Sequence, residues 1–568
     1  MIHGTSNHDL RCSYLKRYEA LKQEREPWLG LWRDLASNFA PMLSRFDNER
    51  QKKNVERNKL LNSSPVRDSR VLAAGMMTSV TSPARKWFKL SKPFSFLTDQ
   101  PRVREWLEDV ENGLFQIFAR SNLYSALSSC YRECGVFGIH AFFVEEDDKD
   151  VVRAYTLPVG SYCLASSERR AVDTLFREVW LTTAQLVDRF GLDACSTHVR
   201  NLWEMGDRDT KHEVLHVIEP AKGSPSAGKL VDGDYRKKPF VSVWFEMNSA
   251  AEGFLRRSGY YEFPVMAPRW SVVDNDAYGS DSPGMISLGD AKLLQVIEAA
   301  SAKMMENGAT PALLASGSMR NQKISMRPAE VTFGDSTNGA PAAAPLYETP
   351  PHWISILQNK ITEIENKIAS SFFVDLFLGL SESDRRQITA EEIRARQQEK
   401  MLQLGPVLER LNDELLDPLI DRVFAIAYRK GYLPPAPPEL QAESIRVEYL
   451  SVLTQAQKTI GVSAVQTFIS SVSNLAQIKP DVLDKVNWDQ VVDDLAEMYG
   501  VPPRELADSD DVQRIRDARA QQMAMQQQLA AETEQANQVK ALAQAQTDKP
   551  SALTELLNAS GPYAASQV

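Results

Sequence analysis

The chain has 568 residues, too many for one hydrophobic core, so several domains or one elongated multi-part subunit are expected. Its apolar and charged fractions are those of an ordinary globular protein. A formal net charge of −10 argues against tight non-specific nucleic-acid binding, which needs many Lys and Arg contacts to phosphate, and leaves room only for local basic clusters.

Five cysteines (Cys12, Cys130, Cys134, Cys163 and Cys195) are few and odd in number. Cys130 and Cys134 stand one helical turn apart with no second pair to complete a zinc site, which favours buried free thiols in a reducing compartment. Met1–Leu10 is polar and lacks the apolar core of a secretory signal. The longest uncharged run, Thr459–Ile478, carries Ser, Thr, Gln and Asn, and its Ile460, Val465, Phe468, Val472 and Leu475 make one stripe. It reads as a packed soluble helix rather than a membrane span.

In chain order, residues 11–40 form an amphipathic helix with Tyr18, Leu21, Trp28, Trp32, Leu35 and Phe39 on one side, stopped by Pro41. After a charged connector, Ser64-Pro65 has the form of an N-cap and first helical residue, opening a helix through Val80. Two more helices are expected at 101–120 and 122–134. From Gly138 the period changes to two. Ile139–Val144, Val151–Thr156, Leu175–Leu181, Val214–Ile218, Phe240–Phe245 and Tyr260–Val265 read as strands, interrupted by a helix at 183–190. The fold class is therefore α+β, predominantly helical.

Ser282-Pro283 opens the next helix, with Leu293, Ile297, Ala300 and Met304 as its stripe and Asn307-Gly308 as its stop. Residues 309–350 are rich in Ala, Gly and Pro, with strands expected near Ala312–Ala315 and Ile324–Phe333. A long helix follows from Pro351, its apolar face made of Leu357, Ile361, Ile364, Ile368, Phe372 and Leu376. The opposite face carries Lys360, Glu363 and Lys367. A helix of about 27 residues spans roughly 40 Å and makes a strut. Gly379 to Arg386 then forms a polar break containing Glu382, Asp384, Arg385 and Arg386, and a helix restarts at Thr389 with Glu392 completing a capping box. Gly405-Pro406 and Pro418 should kink it. Residues 440–503 are helical again. Ser509 opens a last helix through about Gln546 with thin apolar coverage (Val512, Ile515, Met523 and Leu529), marginal without neighbours of its own kind.

Two catalytic look-alikes are weaker than they first read. His212-Glu213-Val214-Leu215-His216 matches the zincin pattern, which works only on a helix. Its β-branched surroundings predict a strand, on which the two imidazoles would sit about 13 Å apart. Gly223-Ser-Pro-Ser-Ala-Gly228-Lys229-Leu230 resembles a phosphate-binding loop, but Leu230 stands where a Mg²⁺-binding hydroxyl belongs and Val231-Asp232-Gly233-Asp234 is a turn, so a hairpin tip is expected. No cofactor, metal or catalytic residue is assigned, and the chain is not expected to be an enzyme.

Several stretches together carry a resemblance. They are Arg17-Tyr-Glu-Ala-Leu-Lys-Gln-Glu-Arg25 with Trp28 and Trp32, and Leu72-Ala-Ala-Gly-Met-Met-Thr-Ser-Val-Thr-Ser-Pro83 followed by Trp87-Phe88. Then come Leu157-Pro-Val-Gly-Ser-Tyr162, Pro268-Arg-Trp270 with Tyr278-Gly279, and Asp375-Leu-Phe-Leu378. The last are Thr389-Ala-Glu-Glu392, Leu404-Gly-Pro-Val-Leu408 and Gly431-Tyr-Leu-Pro434. In this order the chain resembles, from about residue 14 to about residue 500, the head-to-tail connecting (portal) proteins of podovirus-type bacteriophages.

The resemblance implies a dodecameric ring at one capsid vertex, with double-stranded DNA passing through it. Its partners would be the terminase large subunit, tail or adaptor proteins, and capsid and scaffolding proteins, without a membrane. The ring would be a virion component assembled in the host bacterial cytoplasm. On this chain, 1–282 would be the wing, 283–308 and 351–378 the two stem helices, and 309–350 the clip. Residues 379–388 would be the tunnel loop, 389–503 the wing helix and crown, and 504–568 a C-terminal barrel helix and tail. Glu382, Asp384, Arg385 and Arg386 would then be DNA-facing candidates, and Arg320, Lys323 and Arg327 candidates for a clip contact with a partner or DNA. Leu293, Ile297, Leu357, Ile361, Ile364, Ile368 and Phe372 would pack the stem. The competing readings are a zinc metallopeptidase at His212, Glu213 and His216, and a coiled-coil scaffold or tail-fibre protein suggested by the long helices.

Overall fold

The computed structural model describes residues 7–41, 60–91, 101–221, 238–247, 253–315, 319–320, 343–346, 350–381, 403–438, 446–449, 468–475, 485–499 and 509–543. The chain divides into two units, Met1–Gly461 and Val462–Val568.

The first unit begins with α1 (Asn7–Phe39), whose two halves serve different cores. Its N-terminal half lays Tyr14, Tyr18 and Leu21 on a five-stranded antiparallel sheet, against Phe176, Leu215, Val217 and Phe245. That sheet has the order β4 (Tyr162–Ser166), β5 (Val172–Thr182), β6 (Lys211–Pro220), β7 (Phe240–Glu246) and β8 (Arg256–Tyr260). Alternation along β6 sends Leu215 and Val217 to the α1 face, and Val214 and Ile218 to two other cores on the opposite side. Because both faces are covered, β6 reads as a continuous apolar run. Helices α5 (Thr183–Phe190) and α6 (Thr197–Glu204) cover its far end, and α5 starts on a full capping box between Thr182 and Gln185.

The C-terminal half of α1 enters the main core, where Trp32, Leu35 and Phe39 join the helices α2 (Ser64–Ser79), α3 (Pro101–Arg120) and α4 (Leu123–Phe137). Strand β1 (Phe88–Ser91) pairs antiparallel with β12 (Arg446–Tyr449), which ties the start of this unit to its end. A three-stranded sheet, β3 (Val151–Leu157), β2 (Ala141–Asp147) and β9 (Val265–Met266), backs α4. The turn from α4 into β2 needs Gly138. Its φ is +77°, and a Cβ there would lie 2.7 Å from the Gly279 carbonyl oxygen.

Next comes α7 (Pro283–Ala309), whose N-cap Ser282 accepts from the Met285 N–H as its sequence predicts. Strands β10 (Leu313–Ala315) and β11 (Ala343–Pro345) pair antiparallel and lead into α8 (Pro351–Ser371). Here the structure corrects the sequence. The strut expected through residue 378 stops at Phe372, Phe373 takes φ +55°, and a separate α9 (Val374–Ser381) follows. Neither Gly nor Pro marks this break, so nothing local announces it; packing against α1 and α2 imposes it. The partner of β10 is β11, while the strand expected at Ile324–Phe333, the hairpin tip at 223–230 and the restart at Thr389 lie outside the described residues.

Helix α10 (403–411) stays helical through Gly405-Pro406 without a break. At Pro418 the helix is disturbed, by a π turn just before it over Asn412–Leu416, and α11 (Asp417–Arg429) continues from it. Pro418 has no N–H for a carbonyl four residues back, so the ladder widens by one residue there. The sequence reading also missed β4 and α6, the one too short to show a period and the other capped only by Ser196.

The second unit contains a short helix α12 (468–475), α13 (Trp488–Tyr499) and α14 (Ser509–Ala543). In α12 Val472 is buried while Phe468 and Leu475 are exposed, so the expected stripe is only partly covered. Arg516 on α14 makes a two-pronged ion pair with Asp489 on α13. Side chains 513–537 of α14 are all exposed. Among the described residues no helix is long and apolar enough to cross a membrane.

Candidate functional site

The long helices that the sequence singles out, α7 and α8, meet at the N-terminus of α2. Asn62 is the knot. Its Nδ2 donates to Glu298 Oε1 of α7 at 2.8 Å and to Glu365 Oε1 of α8 at 2.9 Å. The Gln295 side chain accepts from the backbone N–H of Leu61 and Asn62 at 2.8 and 3.1 Å, and returns a bond to the Asn62 carbonyl at 2.8 Å. Ser64 Oγ donates to Glu365 Oε1 at 2.6 Å. The two long helices are thus fixed to each other and to the body by hydrogen bonds to carboxylates, stronger than neutral ones.

Along this pair, Ala291 and Leu294 of α7 and Ile364, Ile368 and Phe372 of α8 are buried. Ile297, Leu357 and Ile361 are half-buried, and Leu293 is 43% exposed. A further apolar series on α7, Ile286 and Val296, points to solvent at 66% and 64% exposure, as do Trp353 and Ile356 at the start of α8. The charged face of α8 is as expected: Lys360 and Lys367 both contact Glu363, at 3.0 and 2.8 Å, and hold its carboxyl down at about 2.

Helix α9 is anchored through a contact the sequence did not reveal. Gly75 on α2 leaves a notch in which the Phe377 ring sits; a Cβ at Gly75 would lie 2.1 Å from it. The small residues Ala73-Ala74-Gly75 were the only trace of this close approach. Beneath lies Asp68, fully buried, with Oδ1 receiving Arg67 Nε at 3.1 Å and Oδ2 without a partner. Burial pushes its carboxyl up, and the charges of Glu365 and Asp375 add to this.

The π turn supplies another buried ion pair. Glu414 receives Arg269 through Nε at 3.1 Å and Nη2 at 2.6 Å, and also the Arg269 backbone N–H at 2.9 Å. Arg269 fills its remaining donors with the carbonyls of Asp276 and Arg170, both at 2.7 Å. Arg422 of α11 is likewise buried against Glu262 at 3.2 Å and the Val144 carbonyl at 2.9 Å.

The zincin look-alike lies on β6, a strand, as its β-branched residues predict. His216 is fully buried, accepts at Nδ1 from Arg177 Nε at 2.9 Å, meets Ser242 Oγ through Nε2 at 3.0 Å and stacks on Trp244 at 3.7 Å. Burial, with Arg177 and Arg189 nearby, keeps it neutral, well below the usual histidine range. His212 pairs instead with the Thr183 hydroxyl at 3.0 Å. The two histidines do not converge on one point, and no cluster of three or more metal-ligating side chains occurs among the described residues.

Of the remaining candidates, Arg320 is exposed on a turn, whereas Lys323, Arg327, Glu382, Asp384, Arg385 and Arg386 lie outside the described residues. Cys130, Cys134, Cys163 and Cys195 are buried free thiols, and Cys12 is exposed.

A family model described as "Bacteriophage head to tail connecting protein" matches residues 11–506. The chain is 41% identical over 548 residues to a portal protein of Salmonella phage epsilon15, covering 96% of this chain and 98% of that one. It is 37% identical over 551 residues to a probable portal protein of Bordetella phage BPP-1, covering 97% and 98%. Among solved structures, a chain from the virion of a native gene transfer agent particle aligns with a TM-score of 0.34 at 12% identity, over 77% of this chain and 88% of that one. The family match across nearly the whole chain and the two near-full-length relatives lead to one conclusion: this chain belongs to the bacteriophage head-to-tail connecting proteins, the portal proteins.

Proposed function

We propose that twelve copies close into a ring at one capsid vertex and conduct double-stranded DNA during packaging and ejection. The ring docks the terminase large subunit first and tail or adaptor proteins later, and sits among capsid and scaffolding proteins as a virion component assembled in the host cytoplasm. The role is structural, with no chemistry of its own. The observation that carries the reading is the α7–α8 pair: it is pinned to the body by Asn62, yet leaves Ile286, Leu293, Val296, Trp353 and Ile356 exposed. Large apolar side chains exposed along one helix pair make the kind of surface that another copy covers. In this assignment the two helices are the stem, the β10–β11 segment is the clip with Arg320 at its surface, and α9 leads into the tunnel loop of Glu382, Asp384, Arg385 and Arg386. Helix α14, exposed along its described length with Ile515, Met523, Met525 and Leu529 uncovered, suits a barrel of parallel copies.

Twelvefold symmetry repeats each lumen residue as a ring of charge. An acidic subunit with sparse basic rings lets a polyanion slide, because few phosphates are neutralised at once. Imaging of purified full-length protein tests the assembly: closed rings of about twelve subunits are expected, and dimers, trimers or rods would overturn it. Deleting Ser381 to Arg386 should leave rings intact and impair DNA packaging or retention. Wild-type packaging by such rings would remove the loop from the mechanism.

A further inference from the structure

The outward face of α2 lines a shallow cleft of about 380 Å³, formed by Ser63, Val66, Arg67, Arg70, Val71 and Ala74 at helical steps of three and four. Val66, Val71 and Ala74 give it an apolar floor, and the exposed Arg67 and Arg70 stand at its rim. Arg67 reaches only its neighbour Asp68, at 3.1 Å, and Arg70 has no hydrogen bond or ion pair among the described residues. Behind them Arg132 of α4 has an Nε that is buried and without a partner. The cleft itself thus presents two guanidinium groups, Arg67 and Arg70. A phosphodiester backbone would bring charge to Arg67 and Arg70 but nothing apolar to the floor between them. An acidic helix brings both carboxylates and methylenes, so the cleft fits protein better than DNA.

The chain carries such a helix. Along α10, the π turn and α11, Glu409, Asp413, Asp417 and Asp421 follow one another at steps of four. Like charges so spaced oppose helix formation, and a positive partner removes that cost. Tyr449 already donates its hydroxyl to Asp417. Glu409 and Asp413 are exposed and have no hydrogen bond or ion pair among the described residues.

The basic and acidic residues stand on different elements, α2 and the helical run from α10 into the π turn. A closed ring requires heterologous contacts, in which two different patches on separate sides of one chain complement each other.

We propose that the α2 cleft of one copy receives Glu409 and Asp413 of the next, with Arg67 and Arg70 closing on the two carboxylates. The pairing rests on the ring reading above and names the surfaces through which the ring closes. Its test is charge exchange in the full-length protein, read by native mass spectrometry, with thermal melting and circular dichroism as folding controls. Arg67→Glu with Arg70→Glu, and separately Glu409→Lys with Asp413→Lys, should each yield folded monomer at concentrations where wild type is ring; the four together should restore rings. Arg67→Ala with Arg70→Ala should raise the concentration for half-assembly about tenfold and flatten its dependence on salt. Rings from either reversed variant overturn the pairing, including rings that assemble but fail to package, which would assign the arginines to DNA. A folded quadruple variant that stays monomeric also overturns it, as does an unchanged salt dependence in the alanine variant. If wild type itself forms no rings, the ring reading falls, and that result is distinct from these.

Discussion

The body around α1–α6 and the helical pair α7–α8 solve the same problem, burying apolar surface, in opposite ways. In the body the two most deeply buried arginines are satisfied within one chain: Arg269 and Arg422 are almost fully buried, and each finds a carboxylate and backbone carbonyls. In the pair, one apolar face is sealed by α1, α2 and α4 and a second is left open along Ile286, Leu293 and Val296. The contrast separates residues that a single copy needs in order to fold from residues that only an assembly needs. Mutations should sort the same way.

The largest effect on the isolated chain is expected at the π turn. Glu414→Ala strands the buried Arg269 guanidinium, and chemical denaturation of the monomeric form should show a loss of about 3–5 kcal/mol. A loss below about 1 kcal/mol would mean that water reaches Arg269 and that the body is less self-sufficient than its contacts suggest.

Next is the joint between body and strut. Gly75→Val drives a side chain into the Phe377 ring and should cost about 1–3 kcal/mol. Because the clash is with one side chain, the cost should shrink in a Phe377→Ala background, and a double-mutant cycle measures the coupling. Strict additivity would show that α9 is not seated in that notch.

His216 gives the body a pH signature. Its folded pKa lies well below the ordinary histidine value. Below about pH 6.5 the unfolded chain therefore binds a proton that the native state refuses. Stability is fully present above that pH and falls as the solution is acidified, at up to about 1.4 kcal/mol per pH unit. His216→Gln should flatten that slope, whatever it does to stability at pH 7. An unchanged slope would assign the acid sensitivity elsewhere.

The smallest effect on the monomer, and the sharpest test of the contrast, is Val296→Asp. On an open surface it should change monomer stability by no more than about 0.5 kcal/mol while preventing rings from forming. Unfolding of the monomer by this change would erase the distinction between the two regions.

Much of this architecture was legible beforehand. The α+β class, the helix start at Ser282-Pro283, a helix at 183–190 and a strand at Val214–Ile218 all follow from nearest-neighbour physics, whereas Ser64, read as an N-cap, lies inside α2 behind Ser63. The strand context of His212 and His216 was likewise readable, because β-branched neighbours and an imminent proline disfavour a helix. What the order of motifs supplied was membership of the family, which periodicity alone could not.

Only the tertiary structure decided the rest, because each remaining feature depends on residues far apart in the chain. The apolar stripe Leu357, Ile361, Ile364, Ile368, Phe372 and Leu376 is continuous in sequence, yet the helix breaks at Phe373. Gly75, some three hundred residues earlier, offers Phe377 a seat that a straight helix would not use. Arg269 sits in a motif that identifies the family, but its partner Glu414 becomes available only where Pro418 widens the helix into a π turn. Asn62, in a connector with no pattern at all, pins α7 to α8. The sequence by itself determined most of the helices and strands and the family, although it missed β4 and α6 and read as helical the stretch that holds β12. Packing and long-range hydrogen bonding determined where the strut breaks, what fastens it and which apolar face remains open, since those outcomes turn on space and charge that no local window contains.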